Sequence, residues 1–166
     1  VWSDQPTEIT NRLGWLHSPE TMAAEVAAMK VLSQTLLDQN YTDVLLLGMG
    51  GSSLAPEVFN KTFGGDSSGL ILSVLDSTDP GAVLAYAQKL NFKNTLFIVA
   101  TKSGSTVETL SFFKYFYRQV CLQLGVEVAG SHFVAITDPG SRLVEIADRY
   151  RFRATFINDP NIGGRY

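Results

Sequence analysis

The sequence is nearly devoid of cysteine. Cys121 is the one thiol in 166 residues, so no disulfide can close within the chain, and a reducing compartment fits best. Flanked by Val120 and Leu122 in a predicted helix, it reads as a small buried hydrophobe. Histidine is scarce too. Neither His17 nor His132 has a partner at metal-ligand or catalytic-triad spacing, so no metal site is expected. No apolar run approaches the roughly 20 residues that a membrane span needs. No basic segment followed by an apolar one opens the chain, so no secretory signal is read. A cytoplasmic protein without a membrane partner is expected. Charge of one sign is also missing: the net charge is −3, with 17% charged residues. That balance argues against non-specific nucleic-acid binding but leaves room for a local anion site. No internal repeat and no low-complexity segment is present.

What the chain does have is 45% apolar residues, enough to bury the core of one ordinary domain. Short apolar runs alternate with helical patterns. Met22, Val26, Met29, Leu32, Leu36 and Leu37 recur at helical spacing, predicting a helix over 19–39, with Ser18 as cap and Pro19 in the first turn. Val44-Leu45-Leu46-Leu47 is wholly apolar, as expected of a strand buried on both faces. Further strands are predicted over 70–75, 95–100, 132–137 and 154–157. Helices are expected over 54–63, from Pro80 to about Leu90, from the 101–106 loop to about Leu124, and from Ser141 to Tyr150. Residues 1–18 read as an irregular lead-in carrying Trp2 and Trp15, and 19–166 as the domain. This alternation predicts an α/β fold: three layers, doubly wound, with a five-stranded parallel sheet in flavodoxin-like order. In such folds ligands lie beyond the carboxyl ends of the strands.

Two polar segments fall at such ends, and a third lies at 161–166. Thr101-Lys102-Ser103-Gly104-Ser105-Thr106 joins a predicted buried strand to a helix. A phosphate needs converging donors, and a helix start offers free amides and the positive end of the dipole. The hydroxyls of Thr101, Ser103, Ser105 and Thr106 add donors, Lys102 a nearby charge, and Gly104 a backbone that can approach the ligand. Ser105 and Glu108 also match a capping box, the purely structural role for part of this loop. The second segment is Gly48-Met49-Gly50-Gly51-Ser52-Ser53. It is not the dinucleotide fingerprint, whose last glycine is Ser53 here, nor a P-loop, since no Gly-Lys-Ser/Thr follows. It reads either as a tight turn or as a close approach to a polar ligand, with Gly51 and Ser52 as donors. The third, Asn161-Ile162-Gly163-Gly164-Arg165-Tyr166, presents an arginine fork on a flexible or tightly turned backbone. Asp76 and Asp79 read as turn and cap residues. Phe112, Phe113, Tyr115, Phe116 and Tyr117 read as the packing side of the long helix, partly at an interdomain or subunit surface.

These segments, in this order on this scaffold, resemble the glucose-6-phosphate isomerase (phosphoglucose isomerase) family. The stretches that carry the resemblance are Gly48 to Ser52, Ala100 to Thr109 and Gly163 to Tyr166, and it covers about residues 20–166. The domain type it implies is the sugar isomerase (SIS) domain. It also implies that Thr101, Lys102, Ser103 and Thr106 grip the sugar phosphate. Gly51 and Ser52 would contact the sugar, and Arg165 would stabilise the enediolate. Members of the family interconvert glucose 6-phosphate and fructose 6-phosphate with no metal or organic cofactor, a carboxylate base moving a proton between C1 and C2. In the family that glutamate, and the histidine and lysine that open the ring, lie in a second SIS domain, and no glutamate here occupies the matching motif. The chain is therefore expected to be part of a longer polypeptide, partnered by a second SIS domain and forming a homo-oligomer, and to be inactive alone. Ile9 to Leu16 is similar to the segment preceding the isomerase half in fused transaldolase/glucose-6-phosphate isomerase proteins. The competing readings are a non-catalytic sugar-phosphate sensor and the isomerase part of another SIS enzyme, such as glucosamine-6-phosphate synthase.

Overall fold

A computed structural model describes residues 11–64 and 69–163. Trp2 and Arg165 lie outside the described residues. Five strands form one parallel sheet: β1 (Asp43–Gly48), β2 (Ile71–Leu75), β3 (Thr95–Ala100), β4 (Phe133–Thr137) and β5 (Ala154–Ile157). Their order is β2-β1-β3-β4-β5, the flavodoxin-like winding. The long helices are α1 (Val26–Asp38), α2 (Gly51–Phe63), α3 (Pro80–Lys89), α4 (Val107–Leu124) and α5 (Arg142–Arg149).

The register places alternate residues on opposite faces. Val44 pairs with Leu72 and Leu96, Ile98 with Val134, and Ile136 with Phe156. The other face carries Leu45, Leu47, Phe97, Val99, Phe133 and Ala135, sealed by α3, α4 and α5. Phe97 stacks on Phe116 and Phe133, with ring centroids 5.1 and 5.0 Å apart. Phe112, Phe113 and Phe116 are buried here, and Tyr115 and Tyr117 pack against the same cluster. The aromatic side of α4 is thus its packing side, as read, with Tyr115 and Tyr117 only partly covered. Cys121 is half-buried at its edge.

The helix expected over 19–39 is broken. A short turn at Ser18–Thr21 and a 3₁₀ turn at Met22–Ala24 precede α1. Of α1, only Leu36 is fully buried, while Val26, Met29 and Val31 are exposed. Tertiary packing supplies most helical stability, and the start of this segment has little of it. The cap falls on His17 rather than Ser18, with Pro19 in the first turn as expected. Asp79 caps α3 as read, its Oδ1 accepting from the Ala82 amide at 2.9 Å.

Candidate functional site

A cleft of about 750 Å³ opens at the carboxyl ends of the strands. It lies at the switch point where the chain winds from β1 to β2 on one side and to β3 on the other, the place where doubly wound sheets take ligands. Gly51, Ser52, Thr101, Lys102, Ser103 and Thr106 all line it. The structure therefore brings together two of the three segments singled out in the sequence. Gly163 of the third also lines the cleft. Leu46, Ile136 and Met49 provide an apolar floor.

The loop after β3 is built around the start of α4. Thr106 is the N-cap residue, and among the described residues no side chain caps the helix. The expected Ser105–Glu108 capping box does not form. With Thr106 at the cap, Glu108 stands second in the helix, one position short of the reach a capping box needs. Instead the hydroxyls pair with one another: Thr101 Oγ1 with Thr106 Oγ1 at 2.9 Å, and Ser103 Oγ with Ser105 Oγ at 2.8 Å. In each pair one hydroxyl donates, so the other keeps a free hydrogen. The amides of Lys102, Ser103, Gly104 and Thr106 make no hydrogen bond within the described residues. Thr109, third in the helix and fully buried, has a hydroxyl without a partner among the described residues. Donors thus outnumber acceptors around this end of the cleft, which favours an anion.

Gly104 has a packing role that the sequence did not suggest. It has φ +68°, and a Cβ there would lie 2.5 Å from the Leu143 amide nitrogen and 2.8 Å from that of Arg142. The side where a Cβ would stand closely approaches the start of α5. Lys102 does not point a free charge into the cleft. Its Nζ pairs with the Asp138 carboxylate and donates to the Pro160 carbonyl at 2.8 Å.

The loop after β1 turns at Gly50, with φ +56°. Ser53 is buried, its hydroxyl donating to the Gly50 carbonyl at 2.9 Å. The Ser52 amide is taken by the Met49 carbonyl at 3.2 Å, so Ser52 faces the cleft with its hydroxyl as the available donor. Asp76 is exposed and takes no part in the cleft lining.

Asp138 and Asn158 are polar lining residues that the sequence reading missed, while Thr109 and Ile162 lie in stretches it singled out without having been given a role. Asp138 and Asn158 each directly follow a strand, β4 and β5. The rule that pointed to the other two loops applies to them as well.

The phosphoglucose isomerase family profile matches residues 20–166. The chain belongs to that family. A glucose-6-phosphate isomerase from Treponema pallidum (strain Nichols) is 35% identical over 131 residues, covering 76% of this chain and 24% of the relative. A crystal structure of a hypothetical protein from Thermus thermophilus superposes with a TM-score of 0.80 at 30% identity, over 95% of this chain and 37% of the other. A glucose-6-phosphate isomerase structure from Chlamydia trachomatis superposes with a TM-score of 0.69 at 26% identity, over 81% and 26%. The chain thus spans about a quarter to a third of the length of the curated relatives it matches. Phosphoglucose isomerase relatives therefore contain much sequence to which this chain has no counterpart.

Proposed function

We propose that this chain supplies the phosphate grip of a glucose-6-phosphate isomerase, which interconverts glucose 6-phosphate and fructose 6-phosphate through an enediolate. The observation that carries the reading is the uncapped start of α4, ringed by the Thr101, Ser103 and Thr106 hydroxyls, opening into the same cleft as Gly51 and Ser52. A phosphate dianion placed there would meet main-chain amides, the helix dipole and the spare hydroxyl hydrogens together. Lys102 would contribute its unpaired amide. Gly51 and the Ser52 hydroxyl would hold the sugar. Arg165, two residues beyond Gly163, would stabilise charge developing on the sugar oxygens. Gripping the phosphate would fix C1 and C2 relative to the base.

The general base, and the groups that open the ring, would come from a second SIS domain, so this chain alone would bind but not isomerise. Leu54, Val58, Phe59 and Phe63 on α2 are exposed, and such an apolar surface suits an adjoining domain. Calorimetry with fructose 6-phosphate, fructose and inorganic phosphate tests the grip. Fructose 6-phosphate should bind well above fructose, and Ser103→Ala or Thr106→Ala should each cost about 1.5–3 kcal/mol, the scale of a charge-assisted hydrogen bond. Equal affinity for the sugar with and without its phosphate would overturn the reading. A coupled isomerase assay showing substantial turnover by this chain would overturn its dependence on a second domain.

A further inference from the structure

The segment from Asn158 to Gly163 forms the far wall of the cleft, with Asn158, Ile162 and Gly163 facing it. The Asn158 amide continues the β4–β5 ladder by donating to the Thr137 carbonyl at 2.9 Å, but past it no sheet ladder or helix among the described residues holds this wall. Two clasps do. On the outer side, Leu13 bridges Ile162, the Gly14 amide donates to the Asn161 carbonyl at 3.0 Å, and the Gly163 amide donates to the Arg12 carbonyl at 3.0 Å. On the inner side stands the Lys102 ammonium, bonded at once to the Asp138 carboxylate and to the Pro160 carbonyl. Lys102 and Asp138 are joined through the main chain as well, the Asp138 amide donating to the Lys102 carbonyl at 3.3 Å.

We propose that Lys102 is a positioning residue, its ammonium spanning from Asp138 to Pro160 so that the hydroxyl loop and the 158–163 wall are held at a fixed separation. The inference rests on the sugar-phosphate reading of the cleft, since the gap so fixed is the one in which the sugar body would lie. An ammonium has three donors, and two are already committed away from the start of α4. The pair is only partly exposed, at 39% for Lys102 and 15% for Asp138, so solvent screens it less than a surface ion pair. The brace therefore acts on the fit of the sugar, while the amides and hydroxyls act on the phosphate.

The test uses this chain as wild type, Lys102→Met, Asp138→Asn and the double variant. Calorimetry is run with fructose 6-phosphate and, separately, with inorganic phosphate. Hydrogen exchange is followed at residues 158–163 without ligand. If Lys102 is a brace, both single variants break the same link. Each should then lower the ratio of fructose 6-phosphate to inorganic phosphate affinity by about tenfold, the scale of one charge-assisted contact. The double variant should lose no more than either single, because the two residues act as one unit. Exchange over 158–163 should speed up in all three.

If Lys102 is instead a phosphate ligand, Lys102→Met weakens both ligands equally and Asp138→Asn, by freeing the ammonium, tightens both; that pattern overturns the proposal. Unchanged exchange over 158–163 in Asp138→Asn, a nearly isosteric change, also overturns it, whatever happens to Lys102→Met. Failure of the wild type to prefer fructose 6-phosphate over fructose would sink the sugar-phosphate reading instead. The exchange measurement would still decide whether the brace exists.

Discussion

The two faces of the sheet are built differently. One carries Phe97, Phe133, Leu45 and Val99 under three helices, and its aromatic rings interlock from β3 through α4 to the end of α5. The other has a small buried cluster of Leu36, Tyr41, Val44, Leu96 and Val134, with Ile98 and Phe156 only partly covered. Ile136 on that thin face is part of the cleft floor. The contrast divides the work of the fold: the sealed face holds the strands in register, and the thin face leaves room above their carboxyl ends for a ligand.

The comparison breaks most directly through packing. Phe116→Ala removes a fully buried ring in contact with Phe92, Phe97 and Tyr115. It should cost about 3–5 kcal/mol, the range for truncating a buried aromatic. Leu32→Ala on α1, a half-buried residue of the thin face, should cost only about 1 kcal/mol, in proportion to the smaller apolar area it covers. Urea denaturation of both variants measures the difference. Equal losses would mean that the thin face packs as tightly as the sealed one.

Two glycines sharpen the contrast at the cleft. Gly104 and Gly140 both have φ +68°, but a Cβ at Gly140 would meet nothing within 4 Å, whereas at Gly104 it would strike the backbone of α5. Gly140→Ala should therefore carry backbone strain alone, about 1 kcal/mol. Gly104→Ala should add overpacking against atoms that cannot swing aside, bringing the total to about 2–4 kcal/mol. Because Gly104 is in the hydroxyl loop, its substitution should also weaken fructose 6-phosphate binding, while Gly140→Ala should not. Thermal unfolding and calorimetry on the pair give both readouts. Matched losses in stability would show that the loop yields at Gly104 without displacing α5.

Much of this was legible in the residues. Val44 to Leu47 has no polar side, so it could only be a strand covered on both faces. The hydroxyls of 101–106 exceed what a helix start needs, so they marked a loop that does line the cleft. Family membership followed from the motifs, and the profile match bears it out. What escaped were matters of one residue or of distant neighbours. Moving the cap from Ser105 to Thr106 dissolves the capping box, and no local pattern separates the two. Gly104 and Lys102 owe their roles to Leu143 and Asp138, dozens of positions away in sequence, so their side of the argument exists only in the folded chain. The early break before α1 has the same origin: the apolar spacing is helical, but nothing packs on Met22 or Val26 strongly enough to make one continuous helix.

The smallest expected effect lies at the opposite rim of the thin face, where polar groups rather than helices close the edge. His132 is buried, its Nδ1 3.1 Å from the Thr95 carbonyl oxygen. A carbonyl can only accept, so Nδ1 carries the proton. Arg153 lies over the Tyr41 ring at 5.2 Å and donates to the Tyr41 hydroxyl, the Ser131 carbonyl and Gln39. Burial pushes the His132 pKa below its ordinary 6.5; the Thr95 carbonyl opposes that shift and the Arg153 charge adds to it. Above 6.5 the imidazole is neutral in both folded and unfolded chains, and its titration costs nothing. As the pH falls through 6.5 the unfolded chain takes up a proton that the folded chain refuses, so stability falls until the lowered folded value is passed. Denaturant midpoints measured across this range should decline toward acid in the wild type. In His132→Gln, which keeps a hydrogen-bonding group for Thr95 but cannot titrate, the decline over the same interval should flatten. Parallel curves would mean that the imidazole titrates alike in the folded and unfolded chains, and that this edge of the sheet is more open to water than its burial implies.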